Sequence, residues 1–257
     1  MKDILKYVGL LVLIVFSFYY TDKISMMIIY ESDLMQEIIS KKDEKETAFV
    51  NAIITGNYIT PGLNGLKINE LDSYYQMKKD YKYISSKLVY DEVEPETTIE
   101  KNKNFVINQA NKSKKAVSII VDNNREILKY AKENPLKINC LITYDEFDKN
   151  SSLEQINIDK DIEKLDILLN KYKLNTNICI INKQNKDDCL EKQKYLVEET
   201  YYIDNISIAS YQVNSGDILL ISNDLSLANF KILLKKISYR DLDIVYLSKL
   251  ISEKRNV

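Results

Sequence analysis

The chain contains no histidine and no tryptophan in 257 residues, and only 5 glycines, 3 prolines and 3 cysteines. Histidine is the commonest general acid/base and metal ligand near neutral pH, so its absence removes Ser-His and Cys-His nucleophile systems, His-ligated zinc and haem together. Any catalysis must run on carboxylates, lysine, tyrosine or cysteine. So few glycines and prolines argue against a flexible linker protein, a collagen-like chain or a Gly-rich phosphate loop. No C-x-x-C is present, which leaves a redox or zinc site without support, and no metal and no cofactor is expected. Charge of one sign is lacking too: Lys+Arg 36 against Asp+Glu 38 gives a formal net charge of -2, so no nucleic-acid partner is expected.

What is present begins with a charge-free run, YVGLLVLIVFSFYY from Tyr7 to Tyr20, preceded by Lys2 and Lys6. It is shorter than the roughly 20 residues a bilayer asks for, but Lys6 can snorkel and Tyr19 and Tyr20 suit an interfacial belt. An uncleaved signal anchor, a cleaved signal peptide and a buried core helix all fit such a run. No A-x-A-like cleavage site follows, which selects the anchor, and the positive-inside rule then places residues after about Asp22 outside the cytoplasm.

Beyond the anchor, Ile24–Glu46 reads as a helix continuing outward and Phe49–Thr60 as a strand ending at the turn Pro61-Gly62-Leu63-Asn64-Gly65. Asn69 caps a helix through about Tyr83, and Lys87–Val93 reads as a strand stopped before Pro95. From Ala116 onward short apolar runs alternate with amphipathic helices, the pattern of βαβ units. The expected strands are Val117–Val121, Ile138–Thr143, Asn177–Ile181, Ile206–Tyr211, Ile218–Ser222 and Ile244–Leu247. The expected helices are Asn124–Glu133, Asp159–Tyr172, Asp187–Glu199, Leu225–Ile237 and Lys249–Glu253.

Several stretches resemble the NodB-homology polysaccharide deacetylases, a carbohydrate esterase family, and in particular a membrane-anchored branch of it. NAIITGNYITPGLNGLKINELDSYYQMKK (Asn51–Lys79) and KLVYDEVEPETTI (Lys87–Ile99) look like that branch's leader region. KKAVSIIVDNN (Lys114–Asn124) resembles the family's first strand and T-F-D-D-G loop. REILKYAKENPLKINCLITYDEFDKN is similar to the following helix and second strand. VNSGDILLISNDLSLANFKILLKKI (Val213–Ile237) resembles the G-D-I-I-L-L-H-D strand and its helix, and DIVYLSKLISEK the last strand and helix. Their order and spacing carry the resemblance, which covers roughly Phe49 to Glu253. It implies an α/β fold: a degenerate, shortened NodB-like (β/α) barrel behind an N-terminal transmembrane helix and a small α+β leader region.

The departures from the family bear on chemistry. In the family the first Asp of the loop is the general base, the second Asp and two His of an H-x-x-x-H segment bind a divalent metal, and a later His is the acid. Here the first Asp corresponds to Asp122, the second to Asn123 and the late His to Ser222. An amide is a poorer ligand for a hard cation, and a serine hydroxyl cannot be the required acid. No Arg-Pro-Pro-Tyr-like motif appears, the only arginines being Arg125, Arg240 and Arg255. Asp122, Asn123 and Ser222 are thus vestigial candidates.

Other features have plain readings beside the sharp ones. Asp122 could be a helix cap or turn residue. Asp145, Glu146 and Asp148 could hold a cation on carboxylates alone, or form a solvated loop, since their spacing matches no calcium-loop pattern. The nineteen tyrosines could supply sugar-stacking faces or serve as packing residues. Cys179 and Cys189, with Asn182–Asp188 as a turn between them, are a candidate disulfide in an oxidising exterior, or two free thiols. Cys140, in INCLIT, reads as a buried small hydrophobe.

The expected organisation is a cytoplasmic tip and anchor over 1–23, an extracytoplasmic helix and leader region over 24–111, and a deacetylase-like domain over 112–257. The expected role is a catalytically inactive, surface-anchored protein whose partner is cell-wall glycan or an envelope protein. The alternatives are an active deacetylase with atypical carboxylate ligands and an envelope scaffold.

Overall fold

The charge-free N-terminal run lies in one long helix, α1 (Lys2–Glu31), of a computed structural model that describes residues 2–158, 162–181 and 185–255. The stretch Tyr7–Glu31 is long and apolar enough to cross a membrane, and its large apolar side chains are exposed. The helix expected to run unbroken over Ile24–Glu46 is interrupted at Ser32. That serine accepts a hydrogen bond from the Met35 N–H at 3.4 Å and caps α2 (Asp33–Ser40), followed by α3 (Lys42–Lys45). Ser followed by Asp is a start signal that can outweigh apolar periodicity running through it.

The segment Phe49–Thr60, expected as one strand, is a hairpin. β1 (Ile53–Thr55) and β2 (Tyr58–Thr60) pair antiparallel around Gly56-Asn57, with Gly56 at φ 59°. Two residues including glycine between β-branched runs are a hairpin signal in their own right. β3 (Gly65–Ile68), α4 (Glu70–Met77) and β4 (Tyr90–Val93) follow, with Asn69 accepting from the Asp72 N–H at 3.0 Å to cap α4.

The chain divides into two compact units, Met1–Ala48 with Gly65–Val93 and Phe49–Asn64 with Glu94–Val257. The leader region expected over 24–111 is therefore shared between them. In the smaller unit β3 pairs antiparallel with β4, and Ile38, Ile68 and Met77 form the core.

The larger unit continues with β5 (Val106–Ile107), β6 (Ala116–Asp122), α5 (Arg125–Glu133), β7 (Asn139–Ile142) and β8 (Glu154–Asn157). Next come α6 (Ile162–Lys171), β9 (Ile178–Ile180), α7 (Lys186–Glu191), β10 (Tyr195–Val197), β11 (Tyr201–Ile203) and α8 (Ser207–Ser210). The unit ends with β12 (Ile218–Ile221), α9 (Leu227–Tyr239), β13 (Asp243–Ile244) and α10 (Leu247–Ile251).

Two sheets result, in the orders β1-β2-β5-β10-β9 and β11-β12-β6-β7-β8, with β13 on the start of β6. All their pairings except the β1/β2 hairpin are parallel. β6 shows why the runs are apolar throughout. Val117, Ile119 and Val121 face one core that includes Ile127 of α5 and Phe230 of α9. Ala116 and Ile120 face a second core that draws Ile156, Ile178, Val197 and Ile218 from both sheets. A parallel strand covered on both faces needs apolar residues at every position. The architecture is α/β, a shortened (β/α) barrel in two parallel sheets with one N-terminal apolar helix.

Local differences from the expected elements have local causes. Ile206–Tyr211 is not a strand: the Asp204 carboxylate accepts from the N–H groups of Ile206 (2.9 Å) and Ser207 (2.6 Å), winding α8, while β11 lies just upstream. The helix expected over Asp187–Glu199 ends at Glu191, because Gln193 takes a left-handed φ of 53° and β10 begins at Tyr195. β8 was not expected at all, since its sequence EQIN carries a single large apolar residue. Residues 159–161 of the expected Asp159–Tyr172 helix, and 182–184 of the turn between the cysteines, lie outside the described residues.

Candidate functional site

β6 and β12 run side by side and parallel, with Val121 opposite Ile221, so the residues that follow each strand emerge at the same end of the sheet. In parallel barrels that carboxyl end is where chemistry sits. The register therefore brings Asp122, Asn123 and Ser222 to one end of the fold.

Their side chains are engaged differently. Asp122 is half-buried and makes no side-chain hydrogen bond among the described residues; burial, and after it the negative charge of Glu146, pushes its carboxyl above the usual aspartate range. Asn123 takes a left-handed backbone with φ 46°, a conformation asparagine tolerates better than most residues. The helix cap suggested for Asp122 belongs instead to Asn124. Its Oδ1 accepts from the Ile127 N–H at 3.2 Å, while its Nδ2 donates to the carbonyls of Asn223 and Leu225, both at 3.0 Å, and of Ser222 at 3.4 Å. Buried Asn124 thus fastens the β6 loop to the β12 loop. Ser222 is buried, and its hydroxyl donates to the Asp224 carboxylate within a tight local turn.

The acidic cluster after β7 is used in turns. Glu146 accepts from the Thr143 N–H at 2.8 Å and hydroxyl at 2.9 Å, forming a capping box. Asp148 accepts from the Asn150 N–H at 3.0 Å and meets Lys132 at 3.4 Å, and Asp145 is exposed. A cavity of about 130 Å³ beside α5 is lined by Asn123, Lys132, Cys140, Glu146 and Asp148. Asp122, Asp145 and Ser222 do not line it.

This donor set does not fit the divalent metal of an amide hydrolase. Among the described residues no group of three or more His, Cys, Asp or Glu could hold a metal ion. Where the family resemblance calls for a second carboxylate stands the Asn123 amide, and where it calls for an acid stands a hydroxyl already donating to Asp224. A catalytic zinc usually has three protein ligands and an open position, and Asp122 alone cannot supply them.

Cys179 of β9 and Cys189 of α7 form a disulfide, with Cα atoms 6.2 Å apart. Cys140 is a buried free thiol whose pKa is pushed up to about 11, chiefly by burial, so it is inert near neutral pH.

Sequence reasoning passed over two positions. Gly216, in NSGDILL, has φ 90°, and a Cβ there would lie 2.4 Å from the Ala110 carbonyl oxygen, so only glycine fits. Next to it, Asp217 is almost fully buried and accepts from the Tyr211 hydroxyl at 2.5 Å and the Asn214 N–H at 2.8 Å. A Gly-Asp pair ahead of an apolar strand was the available signal, and its meaning here is structural. Also missed was a larger cavity, of about 430 Å³, at the far end of the strands.

The fold is shared with solved structures described as CE4 family (carbohydrate esterase family 4) proteins. Its likeness to BA3943, described as a CE4 family pseudoenzyme from Bacillus anthracis, has a TM-score of 0.59 at 19% sequence identity and covers 88% of this chain and 97% of that one. A BA3943 mutant described as having restored enzymatic activity superimposes with a TM-score of 0.53 at 18% identity, over 88% of this chain and all of that one. In sequence, 90 residues are 33% identical to the uncharacterized protein YlxY of Bacillus subtilis (strain 168), which is 35% of this chain; the chain thus spans 28% of that relative's length. No family model matches the chain.

Proposed function

We propose that the chain is a membrane-anchored, catalytically inactive deacetylase-like protein of the cell surface that binds cell-wall glycan or an envelope protein. One observation carries the inactive reading. At the strand ends where a barrel enzyme places its chemistry, the Asp122 carboxylate stands beside the Asn123 amide, and the Ser222 hydroxyl already donates to Asp224, with no group of three or more metal-binding side chains among the described residues. Hydrolysing an acetamide without a metal forgoes both polarisation of the carbonyl and activation of water, each a matter of several kcal/mol, and nothing here replaces them. The likeness to a protein described as a pseudoenzyme supports the same reading.

The anchor supports the surface location. Exposed Leu11, Leu13, Phe16 and Phe18 on a helix long enough to span a bilayer need a lipid environment, and the basic residues before it favour an exported remainder. Protease added to intact cells should therefore digest the larger unit, and full protection without detergent would overturn the orientation. Retention of the detergent-solubilised full chain on insoluble peptidoglycan, or recovery of a cross-linked envelope protein, is the expected outcome for binding. Retention of neither would overturn the binding role.

A further inference from the structure

Helix α9 has two unlike faces. Phe230, Leu233 and Ile237 are buried in the core, while Ala228, Ile232, Lys235 and Tyr239, at helical spacing, form one exposed stripe with Lys231 beside it. Ile232 is 47% exposed and Tyr239 is 89% exposed. From Leu225 to Arg240 the chain carries Lys231, Lys235, Lys236 and Arg240 and no acid, although the two signs nearly balance over the whole sequence. Asp224 and Asp241 stand just outside this stretch, and the neighbouring α5 mixes Glu126 and Glu133 with its cations, so the uniformly positive face is that of α9. Two of the cations are already engaged. Lys236 donates to the carbonyls of Ile208 (2.6 Å), Ala209 (3.2 Å) and Tyr211 (3.0 Å), and Lys231 lies 4.8 Å over the Tyr130 ring. Among the described residues the Lys235 and Arg240 side chains have no hydrogen-bond or ion-pair partner. At the C-terminal end of α9 a depression of about 380 Å³ is lined by Ser210, Gln212, Lys236, Tyr239 and Arg240, and by no carboxylate.

We propose that this face of α9, with the depression at its C-terminal end, rests on an anionic lipid bilayer and takes phosphate headgroups on Lys235 and Arg240. Charge complementarity selects the sign of the ligand, since two free cations and no acid lie along the helix, and a guanidinium pairs with phosphate through two parallel N–H groups. The apolar side chains select a bilayer over a soluble phosphate. Ile232 and Tyr239 project between the cations, and a helix of this composition gains from burying apolar area at the headgroup boundary as well as from attraction to anionic lipid. Tyrosine, with an apolar ring and a polar tip, suits that boundary. The proposal rests on the reading of α1 as a membrane anchor. An anchor holds the chain at a bilayer and makes this second contact intramolecular, so a face with few cations is sufficient.

The test places the full chain in nanodiscs of phosphatidylcholine, with or without phosphatidylglycerol, and carries an environment-sensitive dye on Ser238→Cys, an exposed position that leaves the cations, Ile232 and Tyr239 in place. Cys140 is buried with its thiol pushed up to about 11, so the dye reports on α9. Blue-shifted emission and quenching by brominated lipid are expected in the anionic discs and not in the neutral ones, and both should be lost at about 1 M salt, where the screening length is about 3 Å. Lys235→Gln/Arg240→Gln should lower the ratio of bound to free α9 roughly twentyfold, at roughly fivefold for each cation. Both side chains are exposed, so this variant should melt with the parent protein, and Lys137→Gln/Lys149→Gln, an equal loss of charge at other exposed positions, should leave the ratio unchanged. Equal signals in the two lipids, a signal that survives Lys235→Gln/Arg240→Gln, equal loss in Lys137→Gln/Lys149→Gln, or the same response to soluble polyphosphate in neutral discs would each overturn the proposal. Co-elution of the chain with the discs is scored separately. A chain that enters neither kind of disc would overturn the anchor and this contact together, whereas an incorporated chain without the α9 signal overturns this contact and leaves the anchor standing.

Discussion

Asp122, Asn123 and Asn124 end β6 in sequence, yet only Asn124 is tied into the fold by its side chain. Replacing Asn124 with alanine removes a helix cap, worth about 1 kcal/mol, and leaves carbonyls of the β12 loop short of a donor at about 1–3 kcal/mol, so denaturant melts should show a loss of about 2–4 kcal/mol. A loss below about 1 kcal/mol would contradict the fastening role. Asp122 behaves in the opposite sense. Because its carboxyl titrates above the ordinary aspartate value, the native state holds a proton that the unfolded chain has released, and stability falls as pH rises through that interval. Asp122→Asn should therefore melt at or above the parent temperature at neutral pH, and the difference should vanish below the ordinary aspartate pKa of about 3.9. A clear drop in melting temperature at neutral pH would show that the carboxylate makes a stabilising contact. The identities of these three residues were legible in the sequence. Which of them caps the helix was not, because adjacent Asn and Asp carry the same local signal and only the β12 carbonyls choose between them.

At the scale of elements, the clearest strands were the ones buried on both faces. Ala116–Asp122 and Ile218–Ile221 are apolar at nearly every position because helices cover one side and the opposing sheet the other. Elements that rely on single residues were harder to read: β8 carries EQIN, and α8 exists because Asp204 collects two N–H groups that a strand would have spent on its neighbour. Cys179 and Cys189 join β9 to α7 across a separation of 10 residues, and a loop of that length contributes about 2–3 kcal/mol. Reduction, or a Cys179→Ser/Cys189→Ser double substitution, should lower stability by that amount, whereas Cys140→Ser leaves the response to reductant unchanged. Equal melting with and without reductant would contradict a structural bridge.

Over the whole molecule, the alternation of apolar runs and amphipathic helices after Ala116 was enough to indicate a parallel α/β barrel, because that pattern follows from burial alone. The division into units was not, since it depends on β2 pairing with β5 nearly fifty residues on, which leaves β3, α4 and β4 to a separate core. The 430 Å³ cavity was equally hidden, its wall being drawn from the first turn of the larger unit, the stretch before β5, the starts of β9 and β10, and the C-terminal segment. The central claim is that this barrel holds no working deacetylase centre. The most direct test is acetate release from acetylated glucosamine oligomers by the full chain, with zinc or other divalent cations supplied, beside Asp122→Ala and Asn123→Asp. The account predicts no release by any of the three, since one rebuilt carboxylate still leaves a metal without its remaining ligands. Release by the unmodified chain that Asp122→Ala abolishes at an unchanged melting temperature would contradict it.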